Sequence, residues 1–506
     1  MITERRKLFE SSAPFLFFDY FLIPYEVREP EGPQRAVESQ TWGCLSRTAE
    51  ESTRELYWPQ FRTNAATRSP RSHPWGRYEV AGIPIFGHIA TEGALPQRVR
   101  VERGWSRSEH VVSKDGRPVA SVWRHADGSV ALPFDPGEIL ESYWSERYRQ
   151  AGTSPAKERM RSAALNAYYR IRPLLPRSAQ IAARRAFAWT QRRPVFPRWP
   201  IETVLSDLCD WMFRVVAGVA GRPVPWIAPW PNGYRWSLVL THDVETGLGV
   251  ARIDALREIE RKHGLTSSWN FVPRRYPLDG AVQRLEEEGC EVGVHGLHHD
   301  GKDLVSIRTL RNRLPAIRRY AEEWNASGFR APSTQRTWEW MPMLGFEYDS
   351  SYSDTDPYEP QPGGCCSYLP FQNGSMVELP ITLPQDHTLF AILRHGDARV
   401  WAEKIEHIRA HGGMALTLTH PDYADDQRVI DGYRMLLQSL RGDPTVWRAL
   451  PREVSEWWRR RAASSIEAVG DTWMITGPAA DDGRIVVAQG KGSTLRGAAR
   501  TDERVD

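Results

Sequence analysis

The sequence predicts an α/β protein in which a distorted or partial (β/α) barrel spans residues 236–461, preceded by a smaller β-rich or mixed domain. Three observations lead there. From Trp236 onward, apolar strand-like runs alternate with helix-patterned segments, which implies parallel strands covered by helices. The alternating piece is about 225 residues long, the size of a barrel or partial barrel rather than a small open sheet. At 506 residues the whole chain exceeds one ordinary core, so two or three domains are expected.

Residues 1–140 carry short β-type runs, Arg77–Val80, Ile83–Phe86 and Val119–Trp123 among them. Asp115-Gly116 and Asp127-Gly128 read as hairpin turns between such runs. Residues 141–235 read as a helical, Arg-rich connecting region, in which Glu158 is the single acid between Arg147 and Arg198. There Arg184-Arg185 and Arg192-Arg193 bracket Phe187 and Trp189. One reading of this basic-aromatic patch is contact with an anionic polymer or a membrane surface. The favoured reading is a solvated helix face packed against the neighbouring domain. No recognised nucleic-acid-binding module is present, so no nucleic-acid partner is expected, while peripheral membrane contact through the Arg-rich segment stays open. Arg193 to Pro200, with three prolines, is the candidate linker.

Within 236–461, strands are expected at Leu238–Thr241, Ser267–Val272, Glu291–His295, Ala326–Arg330 and Met414–Thr419. Helices are expected at Ala251–His263, with Gly264 as its stop, and at Gly280–Glu288, Ser306–Glu323 and Asp431–Leu440. In residues 462–506, Trp473-Met474-Ile475 and Ile485-Val486-Val487 suggest a short hairpin, followed by a disordered Gly/Arg/Asp-rich tail.

Composition excludes more than it selects. A net charge of +3 argues for no global polyanion partner. The five cysteines are odd in number, scattered and without a C-x-x-C pair, which fits a reducing compartment and no structural zinc knuckle. Phe15–Pro24 is apolar but short and holds Asp19, unlike a secretory signal or a membrane span. A cytoplasmic location is the expectation. Most of the 21 tryptophans are expected to fill cores, with some available to stack on sugars.

The chemistry lies where two apolar runs end. Leu238-Val239-Leu240-Thr241 stops at His242-Asp243-Val244-Glu245, and Gly293-Val294 stops at His295-Gly296-Leu297-His298-His299. Buried strands deliver such residues to one rim of an α/β sheet or barrel, where active sites collect. His295 and His299 are four apart, on one face if a helical turn begins there. Two imidazoles and a carboxylate are a suitable set for zinc with a position left for water. His298 competes with His299 but should point elsewhere. Asp243 and Glu245 are two apart and would share a side if the strand continued, so one could hold a metal while the other takes a proton from its water.

Five motifs in order resemble those of the NodB-type polysaccharide deacetylases, carbohydrate esterase family four. They are Thr241-His242-Asp243-Val244, His295-Gly296-Leu297-His298-His299, Arg330-Ala331-Pro332, Tyr348-Asp349-Ser350-Ser351-Tyr352 and Leu418-Thr419-His420, with Glu378-Leu379-Pro380 falling between the last two. The resemblance covers 236–461. It implies a NodB-homology fold and a metal-dependent hydrolase of carbon–nitrogen bonds that removes N-acetyl groups from a saccharide. With no secretion signal seen, a step in surface-polysaccharide synthesis is the expected setting. It implies a divalent metal, usually zinc, on His295 and His299, with Glu245 or Asp243 as third ligand. Asp243 would be the general base, His420 the general acid, and Arg330 the residue that orients Asp243. A backbone N–H near Ser351 or Tyr352 would help hold the oxyanion, and Pro332, Trp338, Trp340 and Tyr352 would border the sugar. The sequence departs from the family at Val244, where the second Asp is expected, at His242, which replaces an aromatic, and at Gly296, which replaces Ser or Thr. Relatives on this fold also cleave cyclic amides and ureides, so that activity, or a non-catalytic carbohydrate-binding role, is the alternative.

Overall fold

A computed structural model of the chain describes residues 8–29, 39–49, 52–61, 70–151, 160, 176–190, 196–278, 280–470 and 472–488. The chain divides into two units. One gathers Met1–Thr153, Thr203–Gly233 and Arg460–Asp506, and the other Ser154–Glu202 and Tyr234–Arg459. The 141–235 stretch is thus shared between them.

In the first unit, nine strands between Phe9 and Ala131 form one sheet, mostly antiparallel. The three β-type runs fall inside Ser72–Val80, Ile83–Ala90 and Pro118–His125. Both Asp-Gly pairs make turns, with Gly116 at φ 74° and Gly128 at φ 97°. Phe15–Pro24 contributes the short helix Leu16–Phe21, whose Phe17, Phe18 and Phe21 are buried. The helix Val204–Ala220 falls within the 141–235 stretch expected to be helical, and it is almost wholly buried. The C-terminal hairpin differs from expectation. Thr472–Thr476 pairs with Ser465–Val469, not with Ile485–Val487, because Gly470 at φ 60° turns the chain early. Ile485–Ala488 instead pairs with Val224–Ile227. The polar tail lies outside the described residues. Among the described helices, none is long and apolar enough to cross a membrane.

The second unit is mixed α/β. Its strands lie in the order Phe371–Asn373, Met376–Glu378, Tyr348–Asp349, Gly328–Phe329, Glu291–Val294, Ser268–Phe271, Trp236–Val244 and Met414–Thr419, with Val446–Arg448 also on the Trp236 strand. Every neighbouring pair is parallel except the hairpin at the edge. All nine residues of Trp236–Val244 and all six of Met414–Thr419 are buried, as parallel strands covered on both faces require. Beyond Glu378 the chain continues beside the segment that follows Tyr348–Asp349 and then beside Met414–Thr419. Ile381 N–H donates to Tyr352 O (2.8 Å) and Leu383 N–H to Leu416 O (3.1 Å).

Helices arise close to where periodicity and caps place them. Ile253–Lys262 ends before Gly264, at φ 65°. Ser306 caps Ile307–Glu323 by accepting from Thr309 N–H. Asp426 starts Gln427–Ser439 four residues earlier than expected, by accepting from Arg428 N–H. Arg399–Ala410, with buried Trp401, Ile405 and Ile408, was not anticipated. In helix Arg177–Thr190, Arg184 Nη2 donates to Tyr358 O (3.0 Å) and Arg185 Nε to Ala391 O (2.9 Å), so both guanidiniums hold carbonyls of their own unit. Phe187 and Trp189 are exposed, and Arg192 and Arg193 lie outside the described residues. Trp58, Trp226, Trp230, Trp236, Trp269, Trp401 and Trp457 are fully buried, in keeping with tryptophan as core filler.

His242 shows why an aromatic position can hold an imidazole. It lies flat against Trp269, with ring centroids 4.1 Å apart. Its Nε2 meets Glu260 Oε1 (2.7 Å) and its Nδ1 meets Thr419 Oγ1 (2.7 Å). Glu260 also accepts from Tyr433 OH, Ser267 Oγ and Arg257. Burial pushes the Glu260 carboxyl up, but His242 and these donors outweigh it and hold it below the usual range. His242→Phe keeps the ring stacking but deprives Glu260 and Thr419 of a partner. It is expected to cost about 1–3 kcal/mol, read as a lower unfolding midpoint in urea.

Candidate active site

The predicted residues meet at the C-terminal rim of the parallel strands. Asp243 is the penultimate residue of its strand and is 2% exposed. Register sets Asn270 of the next strand opposite it, and Asn270 Nδ2 donates to Asp243 Oδ1 (2.9 Å). Arg330 reaches the same oxygen through Nη1 (3.3 Å). The guanidinium is itself fixed, donating to Thr241 Oγ1 (2.8 Å), Ser350 O (2.7 Å) and Ser350 Oγ (2.7 Å). Burial alone would raise the Asp243 carboxyl. The charges of Arg330 and His420, the adjacent His295 ring and the Asn270 bond overcome it and hold the group ionised, below its ordinary range.

His295 is the first residue past Glu291–Val294. Its Nδ1 faces Arg330 O (3.0 Å), which orients the ring. Its Nε2 has no hydrogen-bond partner and lies 3.6 Å from Asp243 Oδ2. Burial depresses the imidazole to about 4, against the pull of Asp243, so it stands neutral. No helical turn follows this strand. His299 joins His295 through a loop, with its own backbone at φ 52°, and the two rings are 5.1 Å apart. Both His299 ring nitrogens are buried without a hydrogen bond, although Glu245 Oε1 is 3.0 Å from Nε2. His298 is only half-buried. Gly296 sits at φ 66°, and a Cβ there would collide with the Asp303 carboxylate and the Pro332 ring, so the family's Ser or Thr has no room. Pro332 is buried against Gly296 of this loop.

Glu245 lies just beyond its strand and is only partly buried. One ligand-type atom from each of Glu245, His295 and His299 falls within 4.8 Å of the others, a group that does not include Asp243. Two imidazoles, one carboxylate and buried, unsatisfied ring nitrogens are the donor set that zinc takes.

His420 closes the constellation from the end of Met414–Thr419. Its Nδ1 meets Asp386 Oδ1 (2.6 Å), its own N–H donates to Asp386 Oδ2 (2.8 Å), and its Nε2 lies 3.9 Å from Glu245 Oε1. Burial opposes its charge, but Asp386, Glu245 and Asp243 raise it to about 10.

Two expectations change. The backbone N–H groups proposed for the oxyanion are engaged: Ser351 N–H donates to Asp349 Oδ2 (3.0 Å) and Tyr352 N–H to Glu378 Oε1 (3.0 Å). Tyr352 is 1% exposed, with Arg336 over its ring and Trp338 and Phe371 against it, so it packs the wall. The aromatic surface left partly open beside it belongs to the half-buried Trp338, and Trp340, two residues on, is half-buried as well. Sequence reading missed Asn270 and Asp386. Asn270 had a signal, as a lone amide in the buried run Ser-Trp-Asn-Phe one strand over from Asp243. Asp386 belongs to none of the motifs; it follows the Glu378-Leu379-Pro380 run by a few residues and caps the turn His387–Ile392, accepting from His387 N–H (2.7 Å).

No family model matches the chain, and no curated protein is significantly similar to it in sequence. Solved structures similar to it are polysaccharide deacetylases, carbohydrate esterase family 4 members and an allantoinase. A Mycobacterium smegmatis protein assigned as a polysaccharide deacetylase shares 20% identity over 46% of this chain and 93% of its own, at a TM-score of 0.37. The PuuE allantoinase shares 14% identity over 46% of this chain and 92% of its own, at 0.36. A family 4 carbohydrate esterase from Streptomyces lividans, solved with acetate, shares 12% identity over 42% of this chain and 91% of its own, at 0.28.

Proposed function

We propose that the second unit, a distorted (β/α) barrel in this reading, is a divalent-metal hydrolase that removes N-acetyl groups from a saccharide. The observation that carries it is the meeting of Glu245, His295 and His299 within 4.8 Å, beside buried Asp243 and His420. In this reading those three side chains hold the metal, zinc being the best match to their chemistry, and Asp243 stays outside its coordination. When bound, the metal supplies Lewis-acid polarisation of the amide carbonyl and acidifies a water. Asp243, kept ionised and oriented by Arg330 and Asn270, accepts the proton of the attacking water. His420, charged through Asp386, gives a proton from Nε2 to the departing amine, which leaves poorly without it. Trp338 and Trp340 offer aromatic faces for a sugar ring.

The test is metal analysis of the purified full chain, together with acetate release from acetylated chito-oligosaccharides and hydrolysis of small cyclic ureides. About one equivalent of zinc is expected, lost in His295→Ala, because a ring whose Nε2 is a ligand cannot be spared. Acetate release supports the proposal. Turnover of ureides alone moves the substrate to cyclic amides. Absence of both metal and turnover makes the unit a carbohydrate-binding relic.

A further inference from the structure

We propose that Asp422 and Tyr276 are positioning residues that fix Glu245 for metal binding, an inference that rests on the metal-centre reading above. Glu245 is the acidic member of that group. It lies past the end of its strand, where sheet hydrogen bonds no longer set the backbone. The structure replaces those bonds one by one. Tyr276 OH donates to the carbonyl of Val244, and accepts from Val272 N–H (3.1 Å). Asp422 Oδ2 accepts from Glu245 N–H (2.9 Å). Asp422 Oδ1 accepts from Thr246 Oγ1 (2.5 Å). Both polar atoms of the peptide unit that precedes the Glu245 Cα are therefore tied to groups outside their own strand, and the next side chain, Thr246, is held by the same carboxylate.

The anchor comes from the opposite catalytic element. Asp422 belongs to the turn Pro421–Tyr423, directly after His420, and its own carbonyl accepts from Arg252 Nη1 (3.0 Å). The strands that end at Val244 and Thr419 are parallel neighbours, with His242 opposite Thr419. Asp422 thus bridges two adjacent strand ends and couples the place of Glu245 to that of His420. The turn after Glu245 is shaped to admit it. Thr246 caps the short helix Gly247–Ala251 by accepting from Gly249 N–H (3.3 Å) while it donates to Asp422. Gly249 is needed because a Cβ there would collide with the Asp422 carboxylate.

A carboxylate is the group this geometry requires. It faces two donors, a backbone N–H and a hydroxyl, and only an acceptor with two oxygens satisfies both. An amide would turn its NH2 group toward one of them.

The experiment measures the zinc dissociation constant of the full chain by competition with a chromogenic chelator. Asp422→Asn is expected to weaken zinc about 10–100-fold, as loss of an outer-shell partner does. Tyr276→Phe and Thr246→Val, milder changes that leave the acid in place, are expected to weaken it by a smaller factor in the same direction. Gly249→Ala, which pushes Asp422 aside, should add little on top of Asp422→Asn. Asp426→Asn, in the same loop but capping another helix, should leave the constant unchanged. These readouts move with the Glu245 position and not with general stability. The inference is overturned if Asp422→Asn and Tyr276→Phe both bind zinc within about twofold of the parent, or if Asp426→Asn weakens it equally. Should Asp422→Asn not fold, Tyr276→Phe and Thr246→Val decide the matter alone. If the parent binds no zinc, the metal-centre reading itself has failed, and this inference with it.

Discussion

Asp243→Asn is expected to keep the metal and lose the reaction. The substitution preserves size and leaves an oxygen for Arg330 and Asn270, but it removes the basic lone pair that takes the proton from water. General-base catalysis is worth about 10²–10⁴-fold, so kcat should fall by that factor while zinc stoichiometry stays at the parent's value. Glu245→Gln should do the reverse of the first part. Its carboxylate oxygen is the one 3.0 Å from His299 Nε2, and a neutral amide is a far poorer ligand for a divalent cation. Zinc should then be lost on dialysis, and activity with it. The two variants separate the roles of acids only two residues apart. If Asp243→Asn loses the metal and Glu245→Gln keeps it, the assignments exchange.

His420 carries the second large effect. As general acid it must be protonated, and its imidazole is raised to about 10. Activity should therefore persist through neutral pH and fall as pH rises through the alkaline range. Asp386→Asn removes the carboxylate whose bond to Nδ1 sustains that charge. The alkaline limb of kcat/KM should move to lower pH by about 1–3 units, since an adjacent opposite charge shifts an ionisable group by that much. His420→Ala should cost about 10²–10⁴-fold on an amide and much less on an aryl acetate, whose leaving group departs without a proton. Equal losses on both substrates would remove His420 from the proton-transfer role and leave it a structural imidazole.

How much of this was legible in the residues follows from what each element depends on. Trp236–Val244 and Met414–Thr419 could be read directly, because strands buried on both faces are uninterrupted apolar runs that end in polar groups. The His-x-x-x-His pair was legible as a pair, but not in its geometry. The expected helical turn is a loop, imposed by positive φ at Gly296 and His299 that no periodicity encodes. Glu245 over Asp243 as companion of the histidines depends on where the strand ends, a boundary of one residue that propensity does not resolve. Asp386, which caps His387–Ile392, and Asp422, in the turn Pro421–Tyr423, reveal themselves only when segments far apart in sequence become neighbours. The Ser351 and Tyr352 amides failed as oxyanion donors because Asp349 and Glu378 claim them, an encounter between segments that local sequence does not foresee.

The pleat of the Trp236 strand has one further consequence. Its alternation sends Thr241 and Asp243 toward Arg330 and the rim, and sends His242 the other way, into the helical layer at Glu260 and Tyr433. Deleting one residue upstream in that strand would exchange the two faces, handing an imidazole to the guanidinium and driving a carboxylate onto another carboxylate. Chemistry and core would collapse in a single step, so insertions and deletions are barred from this ribbon even where point changes are tolerated.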